Sequence, residues 1–532
     1  MLSQTKWLNT EQKILSIKTD GKNLVELTTY QNIALFWFIR FRLYHAEESN
    51  QLARLLMKSS LLFLFVDFLY DFLTSILCKI VLVSFKVKAD KKRPKVLMVA
   101  HNAQWRRERD LTGASRKCDV FLGPVIKELK KRGYVPVTMS PLKYSVSAVK
   151  IMIERLKAED AIHREFNAYW SPKIWMRQFY ATEYFRNVWK NLSKKDERFV
   201  ALLKKHPPTR EMPYYFNSLF GHIVKHIEIA KEIAKEEKPN LILVTSEGEG
   251  IFERALIVAG KLEKIPTLAI QHGVIGPLHQ GYMHSKNRIS ASGSIQSPYL
   301  QIADKTAVYG PFHYNFLTKV SAYPASAVVV TGQPRYDKIT MLGKIFSKEK
   351  FCSKWGLDAH RKVVLVATQQ VPMRKVFIES VLKGLRSFPD VQKIIKPHPK
   401  ENSELYENLL KKEKMRVLLL TKESETLEAL YACDLLVAMS STVITEAAIL
   451  HKPAVTVRPV GEDPTPYYNE VTIRVDLGED LARIFKKALY DEKTRENLKR
   501  AEEKFTFDHT CKQDGKATER VVDLIEQLIK KN

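Results

Sequence analysis

From Lys95 onward the chain alternates compact apolar runs with stretches of helical period, and it does so twice. KVLMVAH (95–101), VPVTMS (135–140), LILVTSE (241–247), TLAIQHG (267–273), KTAVYG (305–310) and AVVVTG (327–332) make the first set. After GQPRYDK (332–338) come VVLVATQ (363–369), KIIKPHP (393–399), VLLLT (417–421), DLLVAMSS (434–441), AVTVRP (454–459) and VTIRVD (471–476). Runs that are apolar at successive positions, not at every second one, suit strands covered on both faces. The pattern predicts an α/β chain with two Rossmann-like, doubly wound sheets. Residues 145–237, mostly helical in pattern and rich in aromatic and basic residues, read as a helical insertion into the first. The expected units are an N-terminal helical, membrane-associating segment 1–94, a first domain 95–335, a second domain 336–510 and a closing helix within 511–532. An amphipathic pattern places that helix near 516–531.

A chain of 532 residues can bury cores of this size. Its 86 Lys and Arg against 59 Asp and Glu leave a formal charge of +27. That balance favours anionic partners. Zinc-ligand spacing, an RNA-binding aromatic signature and a basic low-complexity tail are all missing from the sequence, so nucleic acid is not an expected partner. Acidic lipid headgroups and phosphorylated substrates remain. The five cysteines, at 78, 118, 352, 433 and 511, are scattered and odd in number. They argue for a reducing compartment without a disulfide frame or a metal cluster.

The first 30 residues are polar and lack the apolar core of a signal peptide. Residues 59–85, SSLLFLFVDFLYDFLTSILCKIVLVSF, are long enough to tempt a transmembrane assignment. But Asp67, Asp71, Thr74 and Cys78 recur at helical spacing as one polar stripe, with Ser75 and Lys79 beside it. Two acids in a lone span are costly. The expectation is a helix lying in the membrane interface, with a buried core helix and a true span as the other readings. The basic run from Lys86 to Lys95 suits an anionic leaflet. IALFWFIRFRLY (33–44) is expected to add to the same surface.

Two motifs carry chemistry. In KPHP (396–399) each proline fixes its own φ and holds the residue before it extended. Lys396 and His398 thus end a strand on a stiff mount, at the sheet edge where ligands bind in open α/β folds. In DLLVAMSSTVITEAAILHKPAV (434–455) a strand ends at Met439, and Ser440, Ser441 and Thr442 open a helix. Free N–H groups at a helix start attract phosphate. The plain alternative is an ordinary helix cap. Glu446, one turn deeper, is placed to accept from a ribose hydroxyl.

Together KPHP and SSTVITEAAILHKPAV resemble the donor half of a group of GT-B-fold surface-carbohydrate enzymes. The group includes the CDP-glycerol glycerophosphotransferases and the capsule sialyl- and Kdo-transferases. The UDP-N-acetylglucosamine 2-epimerases are related to it. TGQPRYDKI (331–339), QHG (271–273) and DGKATERVVDLI (514–525) resemble further segments of the CDP-glycerol enzymes, so the likeness spans roughly 240–530. It implies that Lys396, His398, Ser440, Ser441, Thr442 and Arg335 face donor phosphates, that Glu446 meets the ribose, and that His272 is a base or phosphate contact. Glu249, in SEGEG (246–250), resembles the acid of the sialyltransferase triplet in a broken form. WRRERD (105–110) after His101 is a weak echo of an epimerase stretch, and a solvated basic loop is its other reading.

The resemblance implies a metal-independent GT-B glycosyltransferase that is cytoplasmic and peripheral on the inner face of the cell membrane. It would move a sugar from a nucleotide-activated donor to a surface-glycan or lipid-linked acceptor, held by the first domain. His272 and Glu249 are the expected catalytic residues. The donor is a substrate, and no cofactor is expected. CDP-glycerol or alditol phosphotransfer is the first alternative. A UDP-sugar 2-epimerase and an inactive GT-B-like scaffold are the others.

Overall fold

The computed structural model describes residues 11–44 except 17 and 20, 60–84, 93–109, 115–141, and 146–195 except 159, with 197 and 200–201. It also describes 211–398 apart from 246, 249, 274, 277–278, 280, 286–287 and 291–294, and then 401–420, 426–460 and 466–531.

Two parallel sheets organise the molecule. The first has seven strands: β1 Lys95–Val99, β2 Val135–Ser140, β3 Ile162–Glu165, β4 Leu241–Thr245, β5 Thr267–Ile270, β6 Lys305–Val308 and β7 Val328–Val330. Their order is β7-β6-β5-β4-β1-β2-β3, every pair parallel. The second has six: β8 Val363–Ala367, β9 Gln392–Lys396, β10 Leu418–Leu419, β11 Leu435–Ala438, β12 Ala454–Arg458 and β13 Ile473–Asp476. Their order is β10-β9-β8-β11-β12-β13, again all parallel. Each order reverses once, between β1 and β4 and between β8 and β11. Ligands bind at such switch points, beyond the strand C-termini. β4, β8, β11 and β12 are buried at every residue, as continuous apolar runs require.

Over its described residues the expected insertion at 145–237 is mostly helical and supplies β3, the edge strand of the first sheet. IHRE carries no apolar alternation because its inward side chains are polar and bonded to each other. His163 lies 2.9 Å from Glu165 Oε1, and its Nδ1 is 2.9 Å from Thr138 Oγ1. The segment at 33–44 also departs from expectation. Ile33 to Ile39 are buried in the core of the first unit, and Arg40 pairs with Glu11 at 2.7 Å inside it. Residues 33–40 belong to the protein interior and not to an interfacial surface.

Over its described residues WRRERD is a strand and not a loop, although Arg106 and Arg107 stay exposed to solvent as expected. Trp105–Arg109 pairs antiparallel with Ser115–Asp119. Arg155 pins this hairpin, reaching Asp119 Oδ2 at 3.2 Å and the His101 carbonyl at 2.9 Å and lying 4.7 Å from the Trp105 ring centroid.

Two motifs that lie far apart in sequence close on each other. Asp337, from TGQPRYDKI, accepts from the backbone N–H of Ala517 at 2.9 Å and of Thr518 at 2.7 Å, capping the final helix Ala517–Lys530. Arg520 of that helix donates to the Thr331 carbonyl at 2.7 Å. Gly332 between them has φ +82, and a Cβ there would stand 2.9 Å from that of Ala517. The final helix buries Val521, Val522 and Ile525 against β1 and β4, so the chain ends on its first unit. The helix Glu492–Thr510 likewise reaches back, its end lying so close to Gly310 that a Cβ there would meet Asp508 O at 2.3 Å. These contacts set the two sheets' C-terminal edges across one cleft.

Candidate active site

The KPHP turn closes β9. Lys396 is buried, and His398 is partly open. The turn is held from beneath by Glu401, a residue the motif reading passed over. Its Oε2 accepts from the His398 N–H at 2.8 Å and from the Tyr406 hydroxyl at 2.8 Å. The Thr368 hydroxyl donates to the same oxygen, and Arg374 lies 3.3 Å from Oε1. A buried carboxylate with this many donors is a fixed post, so Pro397 and Glu401 together hold His398 in place.

Across the switch point, β11 ends at Ala438 and Ser440–Thr442 lead into the helix Val443–Ile449. The Ser440 N–H donates to Gln369 Oε1 at 2.8 Å, tying this turn to the end of β8. Ser441 Oγ accepts from the Val443 N–H at 3.4 Å. Thr442 is the N-cap and makes no side-chain cap bond. Glu446 is buried and pairs with Arg335 at 3.0 Å, joining the connection between the units to the second sheet. Glu446 holds the Arg335 guanidinium firmly charged, above its ordinary pKa, against the effect of burial.

The first unit answers with Arg106, from the hairpin. Arg106 is exposed to solvent along its side chain, yet the crowding of its guanidinium by protein lowers its pKa, and Arg335 lowers it further, while Glu446 and Glu108 oppose them. Lys396 is pushed down to about 8, by burial first and by Arg106 second. Arg106, Arg335 and Lys396 therefore form one positive region built from the first unit, the connection and the second unit. Lys338 of the connection reaches Glu108 of the hairpin at 3.3 Å and holds the two sides together.

His272 follows β5 on the first side of the cleft. Gln104 Oε1 accepts from Arg106 at 3.2 Å, so its amide nitrogen faces His272 Nε2, at 2.7 Å. With that nitrogen donating, the neutral ring carries its proton on Nδ1. The ring also lies 5.3 Å from Phe121 and 6.2 Å from His101. His101 Nε2 is 2.9 Å from Glu253 Oε1, a carboxylate buried at the start of the helix Ile251–Leu262. Gln104, Glu253 and Gln369 have no motif signal, since only the fold brings them to the cleft.

Of the residues expected from sequence, the structure brings together Arg335, Lys396, His398, Ser440, Ser441, Thr442 and Glu446 around the second sheet's edge, with His272 on the first. Glu249 lies outside the described residues. Its neighbour Glu247 is taken up structurally, accepting from the Ala303 N–H at 2.9 Å and from Thr306 Oγ1 at 2.8 Å.

No curated protein matches the chain. Among solved structures, a UDP-GlcNAc 2-epimerase from Neisseria meningitidis bound to UDP-GlcNAc is 15% identical, with TM-score 0.51, covering 81% of this chain and 100% of that one. A further UDP-N-acetylglucosamine 2-epimerase is also 15% identical, with TM-score 0.50, covering 82% and 95%. A glycosyltransferase from Rickettsia africae is 13% identical with TM-score 0.47, covering 83% and 100%. At such identity the first two likenesses establish the fold alone. The family model for UDP-N-acetylglucosamine 2-epimerase matches residues 215–526, more than half of the chain. That stretch holds β4 to β13, the connection and most of the closing helix, and by it the chain belongs to the UDP-N-acetylglucosamine 2-epimerase family.

Proposed function

We propose that this chain is a glycosyltransferase of the two-sheet, nucleotide-sugar-binding architecture. It moves a sugar from a nucleotide-activated donor to a lipid-linked surface-glycan acceptor at the inner face of the cell membrane. The observation that carries the donor half is the shared positive region of Arg106, Arg335 and Lys396, drawn from both units and the connection. A departing nucleoside diphosphate develops negative charge, and preorganised cations stabilise it. His398 and Ser440–Thr442 supply further phosphate contacts, and Glu446, which positions Arg335, meets the ribose.

In the transfer step the acceptor oxygen bonds to the anomeric carbon. The bond from that carbon to the diphosphate oxygen breaks, and its electron pair leaves on the nucleoside diphosphate. The acceptor proton passes to Nε2 of His272 as the acceptor hydroxyl displaces the Gln104 amide from that nitrogen, with Glu249 as the alternative base on the strength of the resemblance. His101, held by Glu253, lies on the same side of the cleft as His272.

A second reading, UDP-sugar 2-epimerisation, is favoured by the family match. What supports transfer instead is an exposed apolar helix on the first unit, useful to an amphiphilic acceptor and of no use to an isomerase with one soluble substrate. Incubating the purified chain with UDP-GlcNAc in D2O, with and without a prenyl-linked acceptor, separates the two by NMR. Transfer predicts release of UDP only with acceptor and no deuterium at C2. Deuterated C2 epimer formed without acceptor would overturn the transferase reading.

A further inference from the structure

The helix Ser60–Ser84 is packed inside out. Its polar stripe, Asp67, Asp71, Thr74 and Ser75, faces the protein and is buried. Lys225 Nζ lies 2.7 Å from Asp67 and 2.6 Å from Asp71, and Gln178 donates to Asp67 at 2.6 Å. Every exposed position from 61 to 80 is apolar except Lys79. Leu61, Leu73 and Ile80 are 61%, 62% and 60% exposed. A helix on a water-facing surface shows the reverse arrangement, and apolar patches of this extent mark an interaction site.

We propose that this face docks on an anionic lipid bilayer, with the helix lying parallel to the membrane plane. The segment Leu61–Leu82 is long and apolar enough to cross a membrane. Spanning, however, would strip Asp67 and Asp71 from Lys225 and carry them into hydrocarbon. The buried ion cluster ties the polar side to the helix Phe220–Glu237, leaving the opposite side to enter the headgroup boundary, by about 5–10 Å.

Charge selects the occupant. The chain carries +27, and Lys86, Lys88, Lys91, Lys92 and Arg93 follow the helix in sequence. No acid stands at an exposed position between 61 and 80. The neighbouring helix Pro172–Lys195 exposes Tyr180 and Tyr184, residues suited to the headgroup level, with exposed Lys173 and Lys190. A second copy of the chain would set like charge against like, while an anionic leaflet complements both the apolar face and its basic surroundings. The inference stands apart from the transferase reading, since an epimerase carrying this helix would dock in the same way.

Flotation of the full chain with phosphatidylcholine vesicles, with and without phosphatidylglycerol, tests it. The chain should float with the anionic vesicles, and high salt should weaken the effect. The triple variant F65Q/L69Q/L73Q should lose at least tenfold in partitioning while keeping the wild-type melting temperature and its response to UDP. In case that variant does not fold, Leu73→Cys labelled with an environment-sensitive dye should shift its emission to the blue on addition of anionic vesicles. Failure of the wild type to float, or an unshifted dye, overturns the proposal. So does equal flotation of a folded triple variant. Wild-type dimers in light scattering that the variant dissolves, without flotation, would assign the face to a second copy instead.

Discussion

Arg106, on the hairpin of the first unit, lies near enough to Lys396, which ends β9 in the second, for its guanidinium to add to burial in pushing the ammonium down to about 8. Like charges brought together in a cleft are unfavourable for folding, and the arrangement makes sense as a seat for an anion.

The sign of the pH effect follows. The folded-state pKa of Lys396 lies below the ordinary 10.5, so between about pH 8 and 10.5 the unfolded chain binds the extra proton. Below pH 8 the buried charge costs stability, and the cost fades as pH rises through that window. Lys396→Met should therefore raise stability at pH 7, by roughly 1–3 kcal/mol, while weakening nucleotide binding at least tenfold. Urea unfolding at pH 7 and pH 10 checks this, since the gain should shrink at the higher pH.

A bound diphosphate reverses the shift on Lys396. Nucleotide binding near pH 8 should take up protons, and affinity should fall as pH rises through 8. Calorimetric titration of UDP in two buffers of different ionisation enthalpy measures the uptake. Lys396→Met, if it retains weak binding, should show none.

Glu446 holds Arg335 at 3.0 Å, with its own side chain 4% exposed. Glu446→Ala leaves the guanidinium without its carboxylate partner. Stability should fall by about 1–3 kcal/mol, and UDP affinity should fall at least tenfold as Arg335 loses its placement. Glu446→Gln, which keeps the shape and an acceptor oxygen, should recover much of the stability.

Glu401 beneath the KPHP turn yields a separate test. Tyr406→Phe removes one donor and should cost about 1 kcal/mol. Glu401→Ala leaves the Tyr406 hydroxyl and the His398 N–H without that acceptor, and should cost more. It should also weaken nucleotide binding without touching the ligand. Denaturant midpoints beside UDP titrations separate the two effects.

The second sheet was legible because its longer strands are largely apolar runs, and KPHP and SST mark the ends of the two strands that flank β8. The edge strand Ile162–Glu165 was not, since its inward His163 and Glu165 satisfy each other and carry no apolar period. The apolar run at 33–44 shows the converse limit, because composition alone cannot tell a core segment from a membrane-facing one. At 60–84 the polar stripe was visible, but the partner that turns it inward, Lys225, lies 154 positions beyond Asp71. Arg106 sits in a hairpin charged at nearly every position, with nothing to mark one arginine above its neighbours. Its meeting with Lys396 is a property of the closed cleft.

Lys225 anchors the inside-out helix. Asp71 is raised to about 6 by burial, with Asp67 adding repulsion and Lys225 opposing both. Lys225→Met leaves the two buried carboxylates with only His222, 3.6 Å from Asp67, as a cationic partner, which should cost about 3–5 kcal/mol at pH 8. The acids protonate more readily without the ammonium, so the loss should be smaller at pH 5. Thermal melts across that range measure the difference.

Calorimetric titration of UDP into wild type, Arg106→Ala and Lys396→Met tests the central claim most directly, because the two residues belong to different units. The account predicts measurable binding by the wild type and at least a tenfold loss in each variant. Unchanged affinity in both folded variants would contradict a nucleotide site shared across the cleft.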